Sequence, residues 1–317
     1  MADGVLTALP PEVVALAAQV SNWGRWGPDD ELGTLNLIDP EAVRRGAAAV
    51  RTGKRFSLAL PLHGDGIQMG FVPGRINPLR TMVMLHTTPP GEKSALKAND
   101  DVVVMGLQAA THWDGIAHVS YDGQLYNGYP ASSITAEAGA TRCGIERVRS
   151  VVTRGILLDV ARAKGLDKLE PGYGITTEDL DAALGLTGLT VQPGDIVLVR
   201  TGQMMFVRRE HPDKIAYAWP SPGLTAATAP WFWSRDVAAV ATDNLTFEVY
   251  PPQDERIMLP VHYLHLVMMG MTQGQNWMLE ELADDCAADG VYEFLLAASP
   301  EPFVGGVGTP VNPAAVK

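Results

Sequence analysis

The chain has 317 residues, 46% of them hydrophobic, enough to bury a large core. Its 24 basic and 36 acidic side chains give a formal charge of −12 with no basic run, which excludes an electrostatic nucleic-acid binder. Its two cysteines, Cys143 and Cys286, lie far apart and outside any CxxC spacing. That excludes a thiolate zinc cluster and a disulfide framework, and leaves two reduced, buried thiols of a cytoplasmic protein.

In chain order, no basic stretch precedes the first apolar run, which argues against a secretory leader. Pro11 to Val20 has helical spacing with prolines at its start. Ser21 to Ile38 carries Trp23, Trp26, three glycines and a proline without periodicity, and reads as an irregular segment pinned by aromatics. Asp39-Pro40 opens a helix to about Val50, the Asp as N-cap and the Pro at the first position. Short apolar runs predict buried strands at 56–60, 82–86, 102–105, 155–160, 195–200, 237–242 and 291–296. Helical patterns fall at 176–184, where a Thr with acidic residues behind it suggests a cap, and at 224–234, 261–269 and 278–286. The apolar stretch 259–271 is too short to span a bilayer and holds two histidines. The tail 302–317, rich in Gly, Pro and Val, is expected to wrap the surface or a neighbouring subunit. Strands and helices mix without a strict βαβ rhythm, so the expected fold is α/β with one mixed sheet in a single domain over residues 1–317. GxGxxG after a strand, GxxxxGK[ST] and GxSxG are all absent, which removes the common nucleotide-binding and serine-hydrolase readings.

The informative segment runs from Val102 to Tyr129. An apolar strand leads into Thr111-His112-Trp113-Asp114-Gly115-Ile116-Ala117-His118. Side chains of an extended chain alternate faces, so His112 and Asp114 point the same way. His118 has the same parity, and Gly115 permits a bend that brings it round. Two imidazoles and a carboxylate from one short segment suit a divalent metal and leave positions open for water and substrate. The bland alternative is a pair of satisfied core or surface histidines beside a chance HxD.

This segment resembles the signature HxGTHxDxPxH of the bacterial cyclase family, which includes kynurenine formamidase and isatin hydrolase. Thr111, His112, Asp114 and His118 match the Thr, the second His, the Asp and the last His. Gln108 stands where the first His is usual, and Gly115-Ile116 replaces a small residue and proline. The resemblance extends through Asn22 to Gly27 with Leu32 to Asn36, Gly194 to Gly202, Pro222 to Leu224, Ala241 to Asn244 and Pro260-Val261-His262. It implies a barrel-like mixed sheet flanked by helices and assembly as a homodimer or larger homo-oligomer. It also implies that His112, Asp114 and His118 bind metal and that His262 transfers a proton. Gln275 stands where the family has a metal-reaching Glu; it would add a carbonyl oxygen or hydrogen-bond the water. With the first His and the Glu both replaced by Gln, too little charge remains for a second dication, so one zinc or manganese ion per chain is expected.

The implied reaction is hydrolysis of an amide or ester in a small cyclic or aromatic molecule: a lactam, imide, aryl formamide or lactone. Gln108 or Gln275 would help stabilise the oxyanion. Trp23, Trp26 and Trp113 are candidates to line the substrate mouth, with structural packing as the alternative. A lyase on the same scaffold and a non-catalytic binding protein are the rivals. His265, His86, Met268, Met269 and Met271 read as packing residues, His63 and His211 as solvated ones, and Asp122 and Tyr126 as turn and packing residues.

Overall fold

The computed structural model describes residues 8–208 and 212–317; His211 lies outside them. The first three strands in the chain are β1 (Arg55–Ser57), β2 (Leu79–Thr87) and β3 (Ala98–Val104). They are followed by β4 (His112–Asp114), β5 (Val152–Asp159), β6 (Ile196–Arg200) and β7 (Ala239–Thr242). The last four are β8 (Gln273–Gln275), β9 (Glu293–Ala297), β10 (Gly308–Pro310) and β11 (Ala314–Val316). Nine of these join in one mixed sheet, in the order β1-β11-β9-β5-β6-β7-β8-β4-β10. The central β5, β6, β7 and β8 run parallel, and the remaining pairings are antiparallel. The sheet curves into a half-barrel flanked by helices, as the sequence implied.

Strict alternation builds two cores on this sheet. Ile156, Leu158, Val197, Val199 and Val240 point to one side, where they meet helix α1 (Pro11–Val20) and α4 (Ala229–Trp233). Leu157, Ile196, Leu198, Ala239 and Ala241 point to the other, against α6 (Glu280–Asp289). Both faces are covered, so these strands read as continuous apolar runs. Helix α2 (Pro40–Ala48) starts where the sequence placed it, with Asp39 accepting from the Ala42 N–H. Helix α3 (Thr177–Thr187) has the full capping box, Thr176 with Asp179, and ends at left-handed Gly188. Helix α5 begins at Pro260–His262 and continues as a π-helical stretch over Tyr263–Met269.

Three expectations change. The runs at 82–86 and 102–105 are strands, but β2 and β3 form a separate hairpin outside the main sheet and expose their apolar side chains. Only 229–233 of the helix expected at 224–234 is α-helical, because Gly223–Leu224 pairs with Gly174–Ile175 as a short parallel ribbon. The tail does not wrap the surface. It supplies β10, which edges β4, and β11, which lies inside the sheet between β1 and β9. Strands of three residues are too short to show an alternation, so neither these nor β8 carried a periodic signal.

Candidate active site

β4 lies between β8 and β10, with His112 opposite Gln275 and Pro310, and Asp114 opposite Gln273 and Gly308. Opposed side chains in an antiparallel pair share a face. His112, Asp114, Gln273 and Gln275 therefore gather on one side, and all are buried. Past Asp114 the chain turns, the His118 N–H donating to the Gly115 carbonyl, and His118 Nε2 comes within 3.7 Å of Asp114 Oδ1. Gly115 is needed there, since a Cβ would press against the Val307 carbonyl.

The His112 Nδ1–H donates to the Ala110 carbonyl at 2.7 Å. A neutral ring so fixed carries its lone pair on Nε2. That atom lies 3.5 Å from Asp114 Oδ1, and neither has a hydrogen-bond partner among the described residues. Two buried acceptors facing each other repel unless a cation lies between them. Donors sharing a tetrahedral zinc stand about 3.4 Å apart, close to both distances here. No three His, Cys, Asp or Glu among the described residues close into a complete cage. The two orphaned acceptors nevertheless fit a divalent ion bound by His112, Asp114 and His118.

Burial opposes ionisation of Asp114, but His118, His112 and His262 together hold its carboxyl well below the usual carboxylate range. The His118 imidazole is held below its ordinary value, mainly by burial and against the pull of Asp114. Gln108 meets His118 from behind, its amide 3.0 Å from Nδ1. The nearer amide atom is Nε2; with the amide turned end for end, its oxygen would accept from Nδ1–H and leave the lone pair of the ring Nε2 facing Asp114.

His262 sits at the start of α5. Its Nδ1–H donates to Glu248 Oε1 at 2.5 Å, and Glu248 also accepts from the backbone N–H groups of Val261 and His262. The lone pair of Nε2 is thereby aimed into the site, 3.8 Å from Asp114 Oδ2. Gln275 bridges the two: its amide NH2 donates to Asp114 Oδ2 at 2.5 Å and to His262 Nε2 at 3.2 Å. An NH2 group is not a metal donor, so in this arrangement Gln275 orients the carboxylate rather than ligating. Glu248 is the residue that sequence reasoning missed. It follows Phe247, held at φ +65° beneath the His262 ring, in an irregular loop with no periodic signal. Gln273 was missed as well; it is fully buried, and neither amide atom has a partner among the described residues.

The three tryptophans are not brought to the donors. Trp113 points to the opposite face of β4, where its ring packs edge-on against Trp277 and its Nε1–H reaches the Ala298 carbonyl. Trp23 packs behind the turn that carries His118, with Ile116 and Ala117, and donates to the Val267 carbonyl at 2.7 Å. Trp26 lies under the Arg25 guanidinium. His63 is exposed as expected and Met269 and Met271 are core, but His86, expected in the core, is exposed because its strand β2 lies in the hairpin outside the main sheet. Asp122 sits in a turn, and buried Tyr126 donates to Asp30. Both cysteines are free and buried, their thiols pushed up to about 12 by burial.

The family model for the Cyclase family, described as "Putative cyclase", matches residues 41–249. A crystal structure described as a novel cyclase is 39% identical, with 98% of this chain and 100% of that one covered and a TM-score of 0.87. The chain belongs to the cyclase family. Isatin hydrolase A from Labrenzia aggregata, bound to benzyl benzoate, is 18% identical over 85% of this chain and 94% of its own, with a TM-score of 0.61. A protein described as a predicted metal-dependent hydrolase from Bacillus stearothermophilus is 16% identical over 84% and 98%, with a TM-score of 0.52. At these identities the likeness is one of fold. No curated protein matches the chain. No helix among the described residues is long and apolar enough to cross a membrane.

Proposed function

We propose that the chain is a metal-dependent hydrolase that opens an amide or ester bond, foremost the carbon–nitrogen bond of a small cyclic amide, imide or aryl formamide. The observation that carries this reading is the pair of facing orphan acceptors, His112 Nε2 and Asp114 Oδ1, beside the hydrogen-bonded pair of His262 with Glu248. A single zinc or manganese ion held by His112, Asp114 and His118 would supply an activated water and a polarised carbonyl. His262 Nε2 takes a proton from the attacking water and returns it to the leaving nitrogen or oxygen. Glu248 keeps the ring in the tautomer that can do so and stabilises it once charged. Gln108 steadies His118, and Gln275 steadies Asp114 and lies within reach of a developing oxyanion. The descriptions of the fold neighbours as isatin hydrolase and metal-dependent hydrolase support the same chemistry.

The reading includes a cytoplasmic location, supported by the two free buried thiols, and a homo-oligomer, supported by the exposed apolar hairpin of β2 and β3. The deciding experiment is elemental mass spectrometry of the purified chain beside a His112→Ala control. About one zinc or manganese per chain, absent from the control, is the expected result. It is to be followed by turnover on lactams, imides, aryl formamides and lactones. No metal after reconstitution and no turnover on that panel would overturn the reading.

A further inference from the structure

Arg75 sits at the root of the β2–β3 hairpin. The turn that carries it is pinned to the loop before β4: the Gly106 N–H donates to the Ile76 carbonyl, Gln68 Nε2 donates to the Ala109 carbonyl, and Gln68 and Asn77 bond each other twice. Arg75 packs directly on Gly106, where even an added Cβ would lie 3.2 Å from its Cγ. Two residues further on, Gln108 touches His118. The half-buried guanidinium stands near enough for its charge to act on both Asp114 and His118.

Despite this position, the Arg75 side chain has no hydrogen-bond or ion-pair partner among the described residues, although 36 acidic side chains are present in the chain. Elsewhere the protein pairs its buried arginines carefully. Arg154 is held by Asp195 and Glu293, and Arg200 by Asp159 and Glu280. A partly desolvated cation with no hydrogen-bonded or ion-paired anion costs stability, and such a group in a folded protein calls for a reason. An arriving anion supplies it. The planar fork of a guanidinium matches a carboxylate through two parallel hydrogen bonds.

We propose that Arg75 is the anion-recognition residue of this site and that the substrate carries a carboxylate beside its scissile amide or ester. The proposal rests on the hydrolase reading for the identity of the scissile bond, but the recognition itself is measured without turnover. The experiment is calorimetric titration of the purified full chain with benzoate and with benzamide, its neutral isostere. The proteins compared are wild type, Arg75→Gln and the charge-keeping Arg75→Lys. Wild type is expected to bind benzoate about tenfold tighter than benzamide, as a charge-assisted pair should. That preference should vanish in Arg75→Gln and survive in Arg75→Lys. Equal affinities in wild type, no benzoate binding at all, or an undiminished preference in Arg75→Gln would each overturn the assignment. Failure of the hydrolase reading shows up separately, as absent turnover on the amide and ester panel.

Discussion

His262 and His265 stand on one helix, three residues apart, in opposite surroundings. His262 is wired through Glu248 on one side and Gln275 on the other. Glu248→Gln keeps the shape but weakens the hold on the Nδ1 proton and the support for the charged ring. It is expected to lower kcat by about 10²- to 10⁴-fold while metal content stays at the wild-type level. Unchanged kcat in steady-state assays would remove Glu248 from the reaction. His265 lies between Phe232 and Phe247, and neither ring nitrogen has a partner among the described residues. Burial pushes its imidazole down to about 3. An unfolded histidine protonates near 6.5, so this stability is present above that pH and drains away as pH falls toward 3. Buried Asp243 acts in the other direction: raised to about 6, mainly by burial, its contribution falls as pH rises from about 4 to 6. His265→Leu removes the first effect alone. The stability lost by wild type between pH 7 and pH 5 should shrink by about 2 kcal/mol in this variant, measured by urea unfolding at both pH values. The period-two alternation made His112 and Asp114 legible in the sequence, and applied to Trp113 it also turns that ring away. Glu248 was not legible, because its partner is fourteen positions away and no repeat links the two.

The irregular segment 21–38 acquires a purpose at the scale of elements. The π-helical stretch behind His262 ends with carbonyls that lack helical partners. The Asn22 N–H bonds the Met268 carbonyl, Asn22 Nδ2 the Met269 carbonyl, Trp23 Nε1 the Val267 carbonyl, and the Thr34 N–H the Gly270 carbonyl. The tryptophan-bearing segment is thus the cap of the helix that carries His262 at its start. Sequence periodicity shows that such a segment is irregular, but not which carbonyls it will satisfy. Gly33 and Gly270 touch at this junction, both at positive φ, and a Cβ on Gly33 would overlap the Gly270 carbonyl. Gly33→Ala should therefore cost about 3 kcal/mol or more, read as a drop in the urea midpoint. A loss under about 1 kcal/mol would mean that the junction yields. The capped helices α2 and α3 were legible because their signals are local. The short strands β8, β10 and β11 were not, since each exists only through its neighbours in the sheet.

At the scale of the molecule, the β2–β3 hairpin stands apart from both cores. Val83 is 65% exposed, Leu85 61% and Val104 58%. A two-stranded ribbon with apolar side chains in water is marginal on its own, and an apolar patch of this kind marks an interaction surface. Val83→Lys combined with Val103→Lys is expected to convert the proposed homo-oligomer into a smaller species by light scattering, with the circular dichroism spectrum retained. A monomeric wild-type protein would refute the assembly. The same hairpin roots the turn that holds Arg75, so the proposed assembly and the proposed anion preference would be physically adjacent.

The order of the sheet also bears on how the protein comes to exist. β4 carries the donors, but the strands that flank it, β8 and β10, lie roughly 160 and 200 positions further along the chain. At about 5–20 residues per second, the donor segment waits roughly ten to forty seconds on the ribosome before its second neighbour is made. Throughout that interval both edges of β4 are open, and β11 is not yet there to join β1 to β9. Long-range pairing of this kind is slow and exposes unpaired strand edges to aggregation. The newborn chain is therefore most vulnerable where the proposed site will form, and its yield in cells should depend on chaperone supply more than on the strength of either core.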